Sequence, residues 1–155
     1  MVLVSVTRLH LKSPLYLPAF AWHTALSTWQ IINISGFLGG KFLRDAQAGY
    51  WTLTTWEDKS AMMNYRNTGA HRQVMPRLQK WCDEASVVHW EQAESNLPTW
   101  EEAQRRMMTE GHFTRLSSPS AAQLERKVPQ LSSKAQGQIL HPRKIMPSRV
   151  IESQI

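Results

Sequence analysis

In this chain of 155 residues, His71 is the side chain best suited to acid–base or ligand chemistry. Imidazole titrates near neutral pH and serves as base, acid or metal ligand. His71 follows Thr68-Gly69, a break in a helical pattern, and opens a stripe with Met75, Leu78 and Cys82 at i, i+4, i+7 and i+11, widened by Val74 and Trp81. Such a face packs on a sheet. One and a half turns earlier, Tyr65 offers a phenol and Arg66 an anion-binding guanidinium. Arg8, in the first strand, is a further candidate for a carboxylate or enolate contact. Trp22, Trp29, Trp51 and Met75 are candidates to line an apolar cavity between helices and sheet, where a small-molecule pocket would form. His23, Ser27 and Gln30 share one helical side and are expected mainly as a solvated face. His89, beside Trp90, reads as a core or interface histidine.

These residues need elements to hold them. In residues 50–56, Tyr50, Thr52, Thr54 and Trp56 alternate with Trp51, Leu53 and Thr55, and both sets suit a strand covered on two sides. Trp56-Glu57-Asp58 ends it, and Asp58 or Ser60 can cap a helix. Gly69 costs about 1 kcal/mol relative to alanine inside a helix, so a short helix, a bend and a second helix from about residue 70 are expected, with a kink at Pro76. Residues 2–10 alternate as a first strand. Ser13-Pro14 opens a helix whose core stripe is read as Leu15, Ala19, Trp22, Leu26 and Trp29. Residues 37–44 form a second strand with a bulge at Gly39-Gly40, and residues 86–91 a fourth.

The resulting order is the split βαβ arrangement of an α+β, ferredoxin-like βαββαβ fold. Two helices cover one sheet face only, while the strands look apolar on both. The expected partner for the second face is another copy of the chain, a homodimer closed through the sheet. Beyond this core, Pro98-Thr99 starts a C-terminal helix with the T-x-x-E capping box Thr99/Glu102, ending at Gly111. Its Ala103 and Met107 are expected near the edge of the pocket.

Composition narrows the function classes. Net charge is +6, but residues through 116 carry 12 Lys/Arg against 10 Asp/Glu, and the remainder 6 against 2. A near-neutral globular part offers no phosphate-tracking stripe, so no nucleic-acid partner is expected. The expected organisation is a domain at 1–116 and, at 117–155, a basic tail rich in Pro, Ser and Gln that stays disordered. One cysteine excludes an internal disulfide framework, and no Cys/His cluster has metal-site spacing. There is no transmembrane run, and residues 1–11 lack the basic start of a signal peptide. A cytoplasmic location is the expectation.

A resemblance adds to this reading. With Trp56-Glu57-Asp58 at a strand end and Ala70-His71-Arg72 on the following helix, the chain is similar to the dimeric α/β-barrel superfamily that contains the antibiotic-biosynthesis monooxygenases. It more closely resembles an uncharacterised bacterial family of that superfamily, through Tyr65, Arg66, Ala70, His71, Arg72, Trp81, Pro98, Thr99, Glu102 and Ala103. Looser similarity, through Arg8, Trp56-Glu57-Asp58 and residues 81–86, links it to the haem-dependent spheroidene monooxygenases. The resemblance implies a monooxygenase-like enzyme acting on an apolar small molecule, with haem as cofactor or with none. Two other readings stand beside it: a non-catalytic dimer binding haem or a small metabolite, and a structural, partner-binding dimer. Hydrolase, kinase and zinc-enzyme chemistry finds no matching motif.

Overall fold

A computed structural model describes residues 1–132 and 134–143 of the chain. Strand β1 (Val2–Leu11) leads through a 3-10 turn at Pro14–Tyr16 into helix α1 (Leu17–Ile32). Strands β2 (Phe37–Arg44) and β3 (Gly49–Trp56) precede helices α2 (Lys59–Arg66) and α3 (Gly69–Trp81), and β4 (Cys82–Gln92) completes the core. Helix α4 (Trp100–Glu110), strand β5 (His112–Phe113), helix α5 (Ala121–Leu124) and strand β6 (Gln138–Leu140) follow.

The start and stop signals act locally as expected. Asp58 Oδ1 accepts from the Ala61 amide at 2.8 Å and opens α2. Gly69, at φ +58°, turns the chain between α2 and α3 in a conformation that disfavours other residues. Thr99 Oγ1 accepts from the Glu102 amide at 3.1 Å to cap α4, although the Glu102 carboxylate turns to Arg105 and Arg106. Helix α3 runs through Pro76 as one segment.

All strand pairs are antiparallel, in the order β5-β4-β1-β3-β2-β6. The inner four are the expected ferredoxin-like core, with α1 and the α2–α3 pair as its two crossovers. The bulge expected at Gly39-Gly40 lies one residue earlier, as a register shift between Phe37 and Gly39, and Gly39 and Gly40 pair regularly with Thr55 and Thr54. Register sorts the side chains. Ser5 lies opposite Thr54 and Thr7 opposite Thr52 on one face; Val4, Val6 and Arg8 lie opposite Thr55, Leu53 and Trp51 on the other.

The first face lies under α1, α2 and α3. The second is covered by the same chain: Trp100, Ala103 and Met107 of α4, together with Val128, pack on Val4, Val6, Trp51, Leu53, Val88 and Trp90. Ala103 and Met107 are therefore core residues on the side away from the helical layer, not at a pocket edge. The open sheet face that motivated a homodimer does not exist in this fold, so the reason for a dimer closed through the sheet is removed.

The expectation of disorder from residue 117 is also corrected for the described part of that segment. Gln123, buried on α5, donates to the carbonyls of Ala85 and Thr114 at 2.9 and 2.8 Å and accepts from the Ala85 amide at 3.1 Å. Its carboxamide pairs with the edge of β4 as a strand would. β6 pairs with β2, and Leu140 joins a core of Leu3, Ile31, Phe37, Trp56 and Met62. Apolar residues spaced too irregularly for a helix or strand pattern, Val128, Leu131 and Ala135, find their partners on the sheet. The part of the expected tail at 144–155 lies outside the described residues.

Candidate functional site

Helices α1 to α3 arch over the face that carries Ser5, Thr7, Tyr50, Thr52 and Thr54, and enclose with it a cavity of about 770 Å³. Its roof is built from Phe20, His23 and Ser27 of α1, Tyr65 and Arg66 of α2, and His71, Val74, Met75 and Leu78 of α3. The wall is mostly apolar and aromatic, with hydroxyls along the strand floor. This is the form of a pocket for a molecule with an apolar body and a few polar atoms.

The α2–α3 corner sets the geometry of His71. Gln30 of α1 donates from Nε2 to the carbonyls of Tyr65 and Thr68 at 3.1 and 2.8 Å and accepts the His71 amide at 3.0 Å through Oε1. The His71 ring stands 4.7 Å from that of Tyr65, centroid to centroid, and Tyr65 in turn lies 5.3 Å from Trp56. His71 Nδ1 lies 3.4 Å from the Arg66 carbonyl. A carbonyl only accepts, so Nδ1 carries the proton and Nε2 keeps its lone pair. Burial lowers the His71 pKa below the ordinary imidazole value of 6.5; the Arg66 carbonyl opposes this and the Arg66 charge adds to it. The ring is thus neutral near pH 7 and competent as a base.

The Tyr65 hydroxyl donates to the Ser27 carbonyl at 3.4 Å, and burial raises its pKa far beyond the physiological range, the Ser27 bond opposing. Tyr65 is a neutral wall residue whose ring packs at a tilt against Trp56 and His71, not an acid. His71, Tyr65, Arg66 and Met75 are therefore brought together as the residue types suggested.

Four other candidates are not. Arg8 is 1% exposed on the opposite face of the sheet, where its guanidinium pairs with Asp45 at 2.8 Å and with Glu84 at 2.5 Å. Asp45 Oδ2 also accepts from the Trp51 indole at 2.9 Å, and Oδ1 from the amides of Gln47 and Gly49. Arg8 is a buried structural cation with no route to the cavity. Trp51 borders the cavity, but its indole belongs to this network on the far side. Trp22 and Trp29 stand outside, 64% and 61% exposed.

The error for α1 is one of side. Both sides of this helix carry apolar residues, so spacing alone does not choose between them. The chosen side is the one bearing His23, Ser27 and Gln30, because it lies over a cavity and against α3 rather than against a close-packed sheet. His23 Nε2 accepts from the Arg77 guanidinium of α3 at 3.1 Å, and His23 lines the cavity. Its spacing with Ser27 and Gln30 was the available signal. His89, expected in a core or interface, instead reaches the cavity from β4, with its pKa lowered by burial and by the charges of Arg66 and Lys59. Cys82 is buried, and burial together with the Asp83 carboxylate pushes its thiol up to about 12; it is an unreactive core residue. Among the described residues one group, His10, Asp83 and Glu84, has metal-ligand proximity, but His10 pairs with Asp83, and Glu84 with Arg8 and Ser120.

The fold is an α+β, ferredoxin-like one of the kind seen in antibiotic-biosynthesis-monooxygenase structures. Solved structures of that type are similar to it. They include the cofactor-independent oxygenase SnoaB from Streptomyces nogalater, in mutant form (14% identity, 60% of this chain and 94% of that one, TM-score 0.50). A candidate antibiotic biosynthesis monooxygenase from Nitrosomonas europaea (14%, 59% and 99%, 0.52) and a conserved protein from Methanosarcina mazei (12%, 59% and 93%, 0.54) are similar as well. At these identities the likeness is one of fold. No curated protein matches the chain. The chain belongs to the family described as a domain of unknown function, DUF3291, which it matches over residues 17–134.

Proposed function

We propose that this protein is a monooxygenase-like enzyme that takes an apolar small molecule into the cavity under α1 to α3, with His71 as its base. The observation that carries this reading is the His71 side chain at the cavity wall, neutral, with its proton held on Nδ1 by the Arg66 carbonyl. In that tautomer Nε2 accepts a proton from an acidic C–H or O–H of the bound molecule. The anion so formed reduces oxygen: one oxygen atom enters the substrate, and the other leaves as water with the two hydrogens the substrate gives up. Arg66, at the cavity margin, neutralises the developing negative charge. Fold neighbours named as monooxygenases, one of them cofactor-independent, support the class.

The second reading, a passive binder of haem or of a small metabolite, rests on the same Nε2, which would be free to hold a haem iron. In that reading His71 would hold the iron of bound haem and no substrate would be turned over. Oxygen uptake with phenolic and polyene substrates separates the two, measured on the wild type and on His71→Ala with and without added haemin. Under the proposal the wild type consumes oxygen without haemin, and His71→Ala loses roughly 10²- to 10⁴-fold of that rate. A wild type that takes up no oxygen under either condition overturns the enzyme. A sharpened Soret band that saturates with haemin and vanishes in His71→Ala then identifies the haem binder.

A further inference from the structure

The outer surface of the helical layer has a composition unlike the rest of the molecule. Helices α1, α2 and α3 contain no Asp or Glu, and they carry Lys59, Arg66, Arg72, Arg77 and Lys80. α1 alone has no charged residue over its whole length, yet it lies at the surface. Trp22 and Trp29 are two turns apart on its side away from the cavity, 64% and 61% exposed, and Leu15 and Leu17 are exposed before them. On α3, packed beside α1, the residues opposite the cavity wall include Arg72 and Lys80, both exposed. Acidic residues are more numerous on the far side of the sheet, as in Glu101, Glu102 and Glu110 of α4, while in the helical layer Glu57 and Asp58 stand at the start of α2.

We infer that this helical surface docks on an anionic lipid bilayer. Tryptophan and leucine at the outer edge of a helix lying flat on a membrane bury their rings and chains at the headgroup boundary, and flanking lysine and arginine meet lipid phosphates. Duplex phosphates would engage the cations but leave Leu15, Leu17 and the tryptophan rings in water, whereas a bilayer takes up both. A second copy apposed through the same surface would bring the two basic helical layers against each other, which like charges oppose. Among the described residues no helix is long and apolar enough to cross a membrane, so the contact is one of surface attachment. It stands whether or not the cavity is catalytic.

The test is co-sedimentation of the full chain with vesicles of phosphatidylcholine and phosphatidylglycerol in equal parts, and with phosphatidylcholine alone, at physiological ionic strength. Binding to the mixed vesicles is expected, with a loss on the order of tenfold or more in Trp22→Ser/Trp29→Ser. A similar loss, on the order of tenfold or more, is expected in Arg72→Glu/Lys80→Glu. All four positions are exposed, and circular dichroism checks that each variant is folded. Quenching of wild-type tryptophan fluorescence by brominated lipid, reduced in the tryptophan variant, reports insertion directly. Absence of wild-type binding to mixed vesicles overturns the inference. So does unchanged binding of the tryptophan variant, because charge alone then suffices and an acidic protein or nucleic acid would serve equally.

Discussion

Two side chains, His71 and Arg8, show how environment assigns a role to a residue type. His71 sits where burial disfavours its cation, so under the proposed function its rate dependence is a single limb that lies below 6.5: activity is flat above and falls as acid protonates Nε2. A profile of kcat/KM against pH, with the limb at or above the ordinary imidazole range, would remove His71 as the base. The same shift affects stability. The unfolded chain binds protons more readily than folded His71 and His89, so stability present above 6.5 decreases as pH falls from there toward their lowered values. Arg8 works in the opposite sense on carboxylates. Burial would raise Asp45 and Glu84, but the hydrogen bonds and charge of Arg8, together with hydrogen bonds from Gly49 and Trp51 to Asp45 and from Ser120 to Glu84, hold both below their ordinary values of 3.8 and 4.5. Their contribution is therefore complete above those values and is lost as pH falls through the lowered ones. Replacing Arg8 by Met leaves two carboxylates without their cation, and about 3–5 kcal/mol of stability should be lost in urea unfolding. Activity per folded molecule should not change, because Arg8 lies across the sheet from the cavity.

At the scale of elements, the hinge between α2 and α3 determines where His71 points. Gln30 joins α1 to three backbone groups of this corner, and Gly69 presses against the same carboxamide: a Cβ there would meet Gln30 atoms at 3.1 Å. Gln30→Ala leaves the Tyr65 and Thr68 carbonyls and the His71 amide without their side-chain partner, and is expected to cost about 1–3 kcal/mol. Gly69→Ala adds a left-handed residue, at about 1–2 kcal/mol, to this crowding. Both should lower ligand affinity in the cavity as well as the unfolding midpoint, which isothermal titration and thermal melts read separately. Stability loss without any change in affinity would show that the corner does not position the site.

Across the whole molecule, the segment after residue 116 completes the core that covers the second sheet face. A chain ending at residue 116 keeps α4 but loses Val128, Leu131, Ala135 and β6, and exposes the apolar side of β2 and Trp100. Such a truncation should melt well below the full chain and associate at micromolar concentration, as size exclusion and calorimetry would show. A truncated chain as stable as the intact one would return the segment to the status of a solvated tail.

Sequence by itself determined the order and type of the core elements. Alternation along residues 50–56, the Asp58 and Thr99 caps and the Thr68-Gly69 break are local signals, and each produced its local structure. Helical spacing also put His71 and Met75 on one face of α3, while the turn at Gly69 and the Gln30 contacts, which are tertiary, bring Tyr65 and Arg66 of α2 to the same wall. Tertiary structure alone decided which face of α1 looks inward, since both of its sides are apolar and the choice depends on a cavity that no spacing reveals. It decided that Arg8 and the Trp51 indole fall across the sheet from the cavity, because that follows from which sheet face the crossover helices take. It also decided that Val128, Leu131, Ala135 and Leu140 join the core: these apolar residues have no regular period, and only long-range contact gives them somewhere to be buried.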